Sequence, residues 1–86
     1  MQPVHLHRVN AEANMARFYH VDIAPTLFGE VSVLRSWGRI GTHGRTSVET
    51  WVTPAEAETA AAQTLHQKVL RGYVVALRIR VADLPG

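Results

Sequence analysis

SWGRIGTHGR, residues 36–45, combines a tryptophan with arginines and carries a glycine at every third position. These glycines are Gly38, Gly41 and Gly44. Their spacing suits neither a helix nor the interior of a well-packed strand, because glycine adds backbone freedom and offers no side chain to pack. Tryptophan is mostly buried, whereas arginine is rarely buried without a partner. The stretch therefore predicts either a turn anchored by a packed aromatic ring or a surface that faces a ligand.

Strand patterns lie on both sides of this stretch. Alternating apolar residues predict four strands, over residues 4–9, 16–24, 30–40 and 45–52. The connections carry polar or turn residues: NAEAN (10–14), PTLFGE (25–30) and GTHG (41–44). The alternation also predicts which side chains face a common core: Val4 and Leu6 in the first strand, and Tyr19, Val21 and Ile23 in the second.

A helix is predicted over residues 54–71. The Thr53 hydroxyl can cap the first turn, Glu56 completes a capping box, and Pro54 suits the first helical position. Gly72 is a common residue just after a helix end. The buried face is predicted from apolar residues that repeat every four positions: Ala57, Ala61, Leu65 and Val69.

Alternation resumes over residues 73–81 and predicts a fifth strand. Its inward face would carry Tyr73, Val75, Leu77, Ile79 and Val81, and its outward face Val74, Ala76, Arg78 and Arg80. The two arginines would discourage pairing with other sheets. The predicted fold class is α+β: a twisted antiparallel sheet of four to five strands with one helix packed across it. We expect a single domain over residues 1–86, in which residues 74–86 add a C-terminal strand.

The composition is that of a globular domain with few charges. The 86 residues are 47% hydrophobic and 19% charged, with a formal net charge of +2. Cysteine is absent, which excludes disulfides, cysteine zinc sites and thiol catalysis. No run approaches the roughly 20 apolar residues that span a bilayer, and the N-terminus lacks a leader pattern. We therefore expect a cytoplasmic protein with no membrane partner.

The residues offer little for catalysis or for metal binding. The serines lie outside any nucleophile-elbow context: Ser32, Ser36 and Ser47. No carboxylates pair at a suggestive spacing, and GRIGTHGR lacks the Lys-Ser/Thr ending of a phosphate loop. We expect no enzyme activity, no cofactor and no metal. His5 and His7 could still present two imidazoles to a metal from one strand face, with His20 or His43 as a third ligand. The favoured interpretation is that these histidines lie on a solvated polar face.

Strict alternation in the third strand places Arg35, Trp37 and Arg39 on one face. An indole is a stacking platform and a guanidinium holds phosphate through two donors, so this set is typical of a nucleic-acid surface. The alternative is that Trp37 anchors the core while the arginines extend around it. Val31 and Val33 on the same face support that alternative. Both interpretations remain open from the residues alone.

Further cations lie in stretches with no acidic residue. Arg35, Arg39 and Arg45 have no Asp or Glu between them, and Lys68 and Arg71 close the predicted helix. The last two would equally suit the helix dipole. The predicted nucleic-acid site is the following set: Arg35, Trp37, Gly38, Arg39, Arg45, Lys68 and Arg71.

Residues 37–45 resemble the motif of the WGR domain family, in which Trp-Gly-Arg is followed by an aliphatic residue and glycines. The flanks resemble the family too. ARFYHV (16–21) is similar to its aromatic strand, TLFGEVSVLR (26–35) to its turn and central strand, and Arg-Gly-Tyr (71–73) to the end of its helix. The resemblance covers about residues 3–73. It implies the same twisted sheet with one helix.

The resemblance also implies a function. In poly(ADP-ribose) polymerases the WGR domain binds DNA near strand breaks, so Trp37 would stack on DNA and Arg39 would make an anionic contact. The chain departs from these domains in lacking their Lys-Thr-x-Asn-x-Trp segment, and is similar to the small stand-alone bacterial members, so we expect no catalytic domain. We expect a nucleic-acid-binding module, with DNA favoured over RNA. The alternative is a protein-interaction module that docks on a partner enzyme. In either case the alternating fifth strand could also pair across a two-fold axis to form a homodimer.

Overall fold

The strands and the helix lie where the alternation and the capping residues predict them. A computed structural model describes residues 2–78. The elements in chain order are β1 (Val4–Asn10), β2 (Met15–Pro25), β3 (Val31–Arg39), β4 (Arg45–Trp51), α1 (Pro54–Leu70) and β5 (Val74–Arg78). The strands form one antiparallel sheet in the order β4-β3-β2-β1-β5, and α1 packs against β2, β3 and β4. The predicted α+β fold is confirmed.

The core lies between α1 and one face of the sheet. Leu6, Val21 and Val33 come from the three central strands and are completely buried. Ala57 and Ala61 meet them from the helix and are buried as well. Alanine side chains let the helix backbone lie close to the sheet. The helix packs mainly on β2, β3 and β4, so it covers only part of that face.

The helix begins at the predicted cap. The Thr53 hydroxyl accepts a hydrogen bond from the backbone N–H of Glu56 at 3.2 Å, and Pro54 is the first helical residue. The helix ends at Leu70, one residue before the predicted end. Gly72 follows with a φ of 97°, a left-handed conformation that favours glycine.

Thr53→Ala is expected to lower the free energy of unfolding by about 0.5–2 kcal/mol, because the N–H of Glu56 loses its acceptor. Chemical denaturation measures this as a lower midpoint at unchanged slope. Thr59→Ala is the matched control, because Thr59 lies inside the helix and its hydroxyl donates to the carbonyl of Ala55. Alanine is the better helix former there, so the control should stay neutral or gain slightly. Equal losses in both variants would contradict a capping role.

The buried face of α1 differs from the predicted four-residue repeat. Ala57 and Ala61 are buried as expected, but Leu65 is only half-buried and Val69 is 51% exposed. An α-helix has 3.6 residues per turn, so each four-residue step rotates roughly 40° off the starting direction. After three steps the side chain has left the sheet. Lys68 is half-buried in its place.

The fifth strand is also less buried than its alternation predicts. Tyr73 is buried as expected, but Val75 is 48% exposed, although it was predicted to face the core. β5 is an edge strand beside β1, and α1 packs on the opposite half of the sheet. The pairing with β1 also contains an irregularity between His5 and Leu6, which shifts the register. The predicted side-chain orientations of Leu77, Arg78, Ile79, Arg80 and Val81 lie outside the part of the chain described.

Candidate nucleic-acid interface

A row of aromatic and basic side chains crosses the helix-facing side of the sheet. The antiparallel register pairs Trp37 with Tyr19 on β2 and with Arg45 on β4. The Trp37 and Tyr19 rings stack, with their centroids 6.0 Å apart and their planes 16° from parallel. Trp37 is half-buried and packs against the core, so one side of the indole supports the fold while part of it stays accessible.

A row of three arginines runs beside this aromatic row. Arg17 on β2 pairs with Arg8 on β1 and with Arg39 on β3. Side chains two residues apart in a strand point to the same face of the sheet. The three arginines therefore share the helix-facing side with Leu6, Tyr19 and Trp37, each of which lies two residues from one of them. Side chains directly opposite in neighbouring strands are close neighbours, and like charges in such positions repel. The arrangement concentrates positive charge at one end of the sheet.

The C-terminal end of α1 closes this surface from above. The Lys68 ammonium lies 4.5 Å from the centre of the Tyr19 ring and 5.9 Å from that of Tyr73. Burial, with the neighbouring charge of Arg71, lowers the pKa of Lys68. The position that a Gly72 Cβ would occupy lies 3.4 Å from the Nε of Arg8, which places the Arg8 side chain beside the helix end. The helix end and the arginine row therefore form one surface.

The two rows and the helix end enclose a groove of about 330 Å³, here called the basic groove. Its lining residues are Arg17, Tyr19, Trp37, Gly38, Ser47, Lys68 and Tyr73. Among the described residues, Arg17 and Lys68 line it, and four further cations lie next to lining residues: Arg8, Arg39, Arg45 and Arg71. The segments that supply most of them, residues 13–21, 31–48 and 59–82, contain no Asp or Glu. An aromatic floor with a cationic rim can hold a planar group together with an anion.

A second hollow continues from the groove around the end of β3. It is lined by residues 13–17 together with Gly38 and Arg39, so it shares Arg17 and Gly38 with the basic groove. Arg39 is exposed, and its Nη1 donates to the carbonyl of Asn14 at a long 3.5 Å. Its guanidinium is therefore held only weakly. The two hollows together can follow an extended polyanion.

Gly38 and Gly44 serve a close crossing of the chain. A Cβ on Gly38 would lie 2.7 Å from the Cα of Gly44, and one on Gly44 would overlap the carbonyl oxygen of Trp37. The ring of Phe18 covers both glycines from the face of the sheet that α1 does not cover, which compensates for their missing side chains. The absence of a side chain at Gly38 is thus explained by packing, while its backbone still lines the groove.

Arg35 lies under the helix and its polar atoms are engaged within the fold. Its Nε donates to the hydroxyl of Thr64 at 3.1 Å, and its Nη2 pairs with the Glu49 carboxylate at 3.5 Å. Its strand face is the predicted one, but α1 covers β3 at this position. The other predicted residues are grouped at the groove: Trp37, Gly38, Arg39, Arg45, Lys68 and Arg71.

Four residues at the groove are absent from the predicted site: Arg8, Arg17, Tyr19 and Tyr73. Alternation predicts Tyr19 and Tyr73 only as core residues. Arg8 and Arg17 follow from the short β1–β2 connection, because an antiparallel hairpin must bring residues on either side of its turn into pairs. The Arg8–Arg17 pair could therefore have been predicted from the hairpin. It indicates a binding site only when the register between β2 and β3 places Arg39 beside it.

Three of the four candidate histidines, His5, His7 and His20, come together on the opposite face of the sheet, whereas His43 lies exposed in the β3–β4 turn. His5 lies within hydrogen-bonding distance of both His7 and His20. The rings bind one another instead of converging on a point, and within residues 2–78 no group of three or more His, Asp or Glu side chains is placed to hold a metal ion. In the same part of the chain, no helix combines the length and the hydropathy needed to cross a bilayer.

The fold and the groove define a small binding-type domain, a single sheet with one helix and a cationic, aromatic cleft at one end. A model of the WGR domain family matches residues 2–79. An uncharacterized protein of Sinorhizobium fredii, y4dW, is 42% identical over 74 residues, which are 84% of this chain and 36% of that protein. The chain thus spans about a third of the length of this curated relative.

A crystal structure of a Bacteroides fragilis protein has the same fold. It superposes with a TM-score of 0.75 at 27% identity, over 87% of this chain and 19% of that one. The chain belongs to the WGR domain family, which is known from poly(ADP-ribose) polymerase-like proteins as nucleic-acid-binding.

Proposed function

We propose that this WGR domain binds nucleic acid, DNA in preference to RNA, in the basic groove. The observation that carries the proposal is the arginine row of Arg8, Arg17 and Arg39 beside the aromatic floor of Tyr19 and Trp37. Repelling cations placed side by side cost stability unless an anion neutralises them. A phosphate backbone supplies regularly spaced anions, and its bases or sugars supply planar and apolar groups for the aromatic floor.

Each part of the groove has a role in this proposal. Trp37 stacks on the ligand, and Arg17 and Arg39 hold phosphates through paired donors. Lys68 adds a point charge above the aromatic floor, while Arg45 and Arg71 extend the positive rim. Arg35 positions α1 over β3 through Thr64, and contributes to binding through the field of the site. The preference for DNA rests on the resemblance to polymerase WGR domains.

The test is a binding titration of Arg39→Ala with blunt, nicked, single-stranded and circular DNA and with RNA at several salt concentrations. For the wild-type domain, log K should fall with log salt with a slope of about −2 to −4, which corresponds to about two to four neutralised phosphates. Arg39→Ala should bind about tenfold more weakly or worse, with a slope about 0.9 smaller in magnitude. Because Arg39 is exposed, the melting temperature of the Arg39→Ala variant should stay close to that of the wild type.

Arg39→Lys is the control for charge alone. It should keep the wild-type salt slope and recover only part of the affinity, because an ammonium cannot reproduce the planar fork of a guanidinium. Wild-type affinity and slope in Arg39→Ala would remove Arg39 from the site. Affinity that does not change with salt would contradict phosphate binding altogether.

One observation favours docking on a partner protein as the second candidate. Leu27 and Phe28, in the turn between β2 and β3, are 98% and 87% exposed. The turn is held in shape by the N–H of Thr26, which donates to the Glu30 carbonyl at 2.9 Å. It lies at the end of β2 opposite to Arg17, so such a contact would leave the basic groove free. A Phe28→Ser variant with unchanged nucleic-acid affinity is the expected result under the leading proposal.

A further inference from the structure

Three histidines form a continuous chain on the face of the sheet that α1 leaves uncovered. The Nδ1 of His5 lies 3.2 Å from the Nδ1 of His20, its cross-strand partner on β2. The Nε2 of His5 lies 3.0 Å from the Nε2 of His7 on the same strand. Both ring nitrogens of His5 are therefore used, and the order of the rings is His7–His5–His20, here called the histidine chain.

The number of protons that this chain can hold follows from its donors and acceptors. A neutral imidazole has one N–H donor and one bare nitrogen, so three neutral rings can make both hydrogen bonds. One added proton on any ring is compatible with both bonds, because the N–H groups can still each face a bare nitrogen. A second proton leaves too few bare nitrogens, and one contact then sets N–H against N–H. The chain is intact with no more than one positive charge.

His5 connects this chain to the Trp-Gly-Arg motif. Its ring stacks on Phe18, with centroids 5.6 Å apart and planes 11° from parallel. Phe18 is 8% exposed, and it covers Gly38 and Gly44 at the crossing of β3 and the β3–β4 turn. The Gly44 side of this crossing lies against the backbone of Trp37. A change in the position of His5 therefore reaches the floor of the basic groove through one buried ring.

We propose that the histidine chain makes nucleic-acid binding acid-sensitive: a second proton breaks the chain, moves His5 off Phe18 and loosens the glycine crossing beneath Trp37. This regulation rests on the proposed function of the basic groove. Its direction is distinctive, because acidification adds positive charge to the protein and by electrostatics alone would strengthen the binding of a polyanion.

The surroundings of the histidine chain favour a neutral central ring. Burial, together with His7 and His20, lowers the pKa of His5, so the central ring of the chain favours its neutral form. Asp22 lies two residues beyond His20 on the same face, and its Oδ1 accepts a hydrogen bond from the backbone N–H of Ile23 at 2.7 Å. The side chains that face the chain from neighbouring strands are uncharged: Ser36 and Leu34 on β3 and Val74 on β5.

The sign of the pH effect follows from the lowered pKa of His5. The folded state prefers the neutral ring, so stability from this group is complete above the ordinary value of 6.5 and is lost as the pH falls below it towards the folded pKa. Melting curves should therefore show lower stability in mild acid. His5→Phe keeps an aromatic ring against Phe18 and removes the titrating centre of the chain.

The experiment measures affinity for a labelled DNA oligonucleotide between about pH 8 and pH 5 at fixed ionic strength. The wild-type domain should bind at least about fivefold more weakly at the acid end while still folded. His5→Phe should bind equally well or better in acid. His66→Gln, an exposed histidine of α1 outside the chain, should behave like wild type. Binding by the wild type that strengthens or stays constant in acid would overturn the proposal.

A second readout separates this inference from the proposed function. If no oligonucleotide binds at any pH, the proposed function is wrong. The amide NMR signals of Gly38 and Gly44 then test, without any ligand, whether protonation of the histidine chain affects the glycine crossing. Acid-dependent shifts in the wild type that vanish in His5→Phe support the link through Phe18, and signals that do not move with pH in the wild type reject it.

Discussion

Gly44→Ala is expected to lower the free energy of unfolding by about 2–5 kcal/mol, most of the stability that so small a domain has. Gly44 has a φ of 67°, a left-handed conformation that alanine adopts at a cost of about 1–2 kcal/mol. The new Cβ would also overlap the Trp37 carbonyl oxygen and lie 2.9 Å from the ring of Phe18. Part of this obstruction is backbone, so β3 itself must shift. Chemical denaturation should show a much lower midpoint.

Gly41→Ala is the matched control in the same turn. Gly41 has a φ of 95°, but no atom lies within 4 Å of the place where its Cβ would stand. This variant should therefore lose only the conformational part, about 1–2 kcal/mol. The difference between the two variants isolates the crowding at the crossing. Equal losses would mean that Gly44 is needed for its backbone angle and that the crossing has room to spare.

Turns and helix starts of this fold can be predicted from the sequence. The three-residue glycine spacing correctly predicts a break between two strands, and the capping residues at Thr53 correctly predict the start of the helix. Both signals are local, since turn and cap residues act on the backbone within a few positions. What the spacing does not contain is the reason for Gly38 and Gly44. That reason is the close crossing of the chain, where a Cβ on Gly38 would meet the Cα of Gly44 and one on Gly44 would overlap the Trp37 carbonyl oxygen. The ring of Phe18, which covers both glycines, comes from twenty residues or more away through the register of β2 and β3.

The candidate site shows the same division. Alternation correctly places Arg35, Trp37 and Arg39 on one face, but it does not show that α1 covers Arg35 and leaves the other two at the helix end. Arg8 and Arg17 were missed because each is unremarkable within its own strand. Their importance comes from pairing across two strand boundaries. Periodicity therefore predicts the face of the sheet on which each side chain lies. The register between strands determines which of these side chains lie together in the site.

Trp37→Ala should weaken both folding and binding. Truncation of a buried aromatic side chain to alanine lowers the free energy of unfolding by about 3–5 kcal/mol. Because Trp37 is only half-buried, we expect a loss near the lower end of that range. The cost includes the stacking contact with Tyr19, whose ring is otherwise buried. Binding should weaken by about 1–3 kcal/mol if the indole stacks on a base or sugar. Melting curves and binding isotherms on the same preparations measure the two losses separately.

Trp51→Ala is the matched control for the fold. Trp51 is also half-buried against the core, but it lies at the other end of the sheet, where its Nε1 donates to Glu49 at 2.9 Å. It should cost comparable stability and leave the affinity of the folded fraction unchanged. A matching loss of affinity in Trp51→Ala would show that binding follows stability alone, and the assignment of Trp37 as a contact residue would lose its support.

Trp37→Leu separates stacking from packing, because leucine keeps apolar volume over Tyr19 but offers no flat ring. We expect most of the folding loss to be recovered and the binding loss to remain, since the core needs filled volume whereas a base needs a platform. Recovery of both would mean that the indole acts only as an apolar plug, and recovery of neither would point to a collapsed groove. Wild-type affinity in Trp37→Leu would assign Trp37 to the core, and Tyr19 and Tyr73 would then be the remaining aromatic surfaces for a ligand beside Lys68.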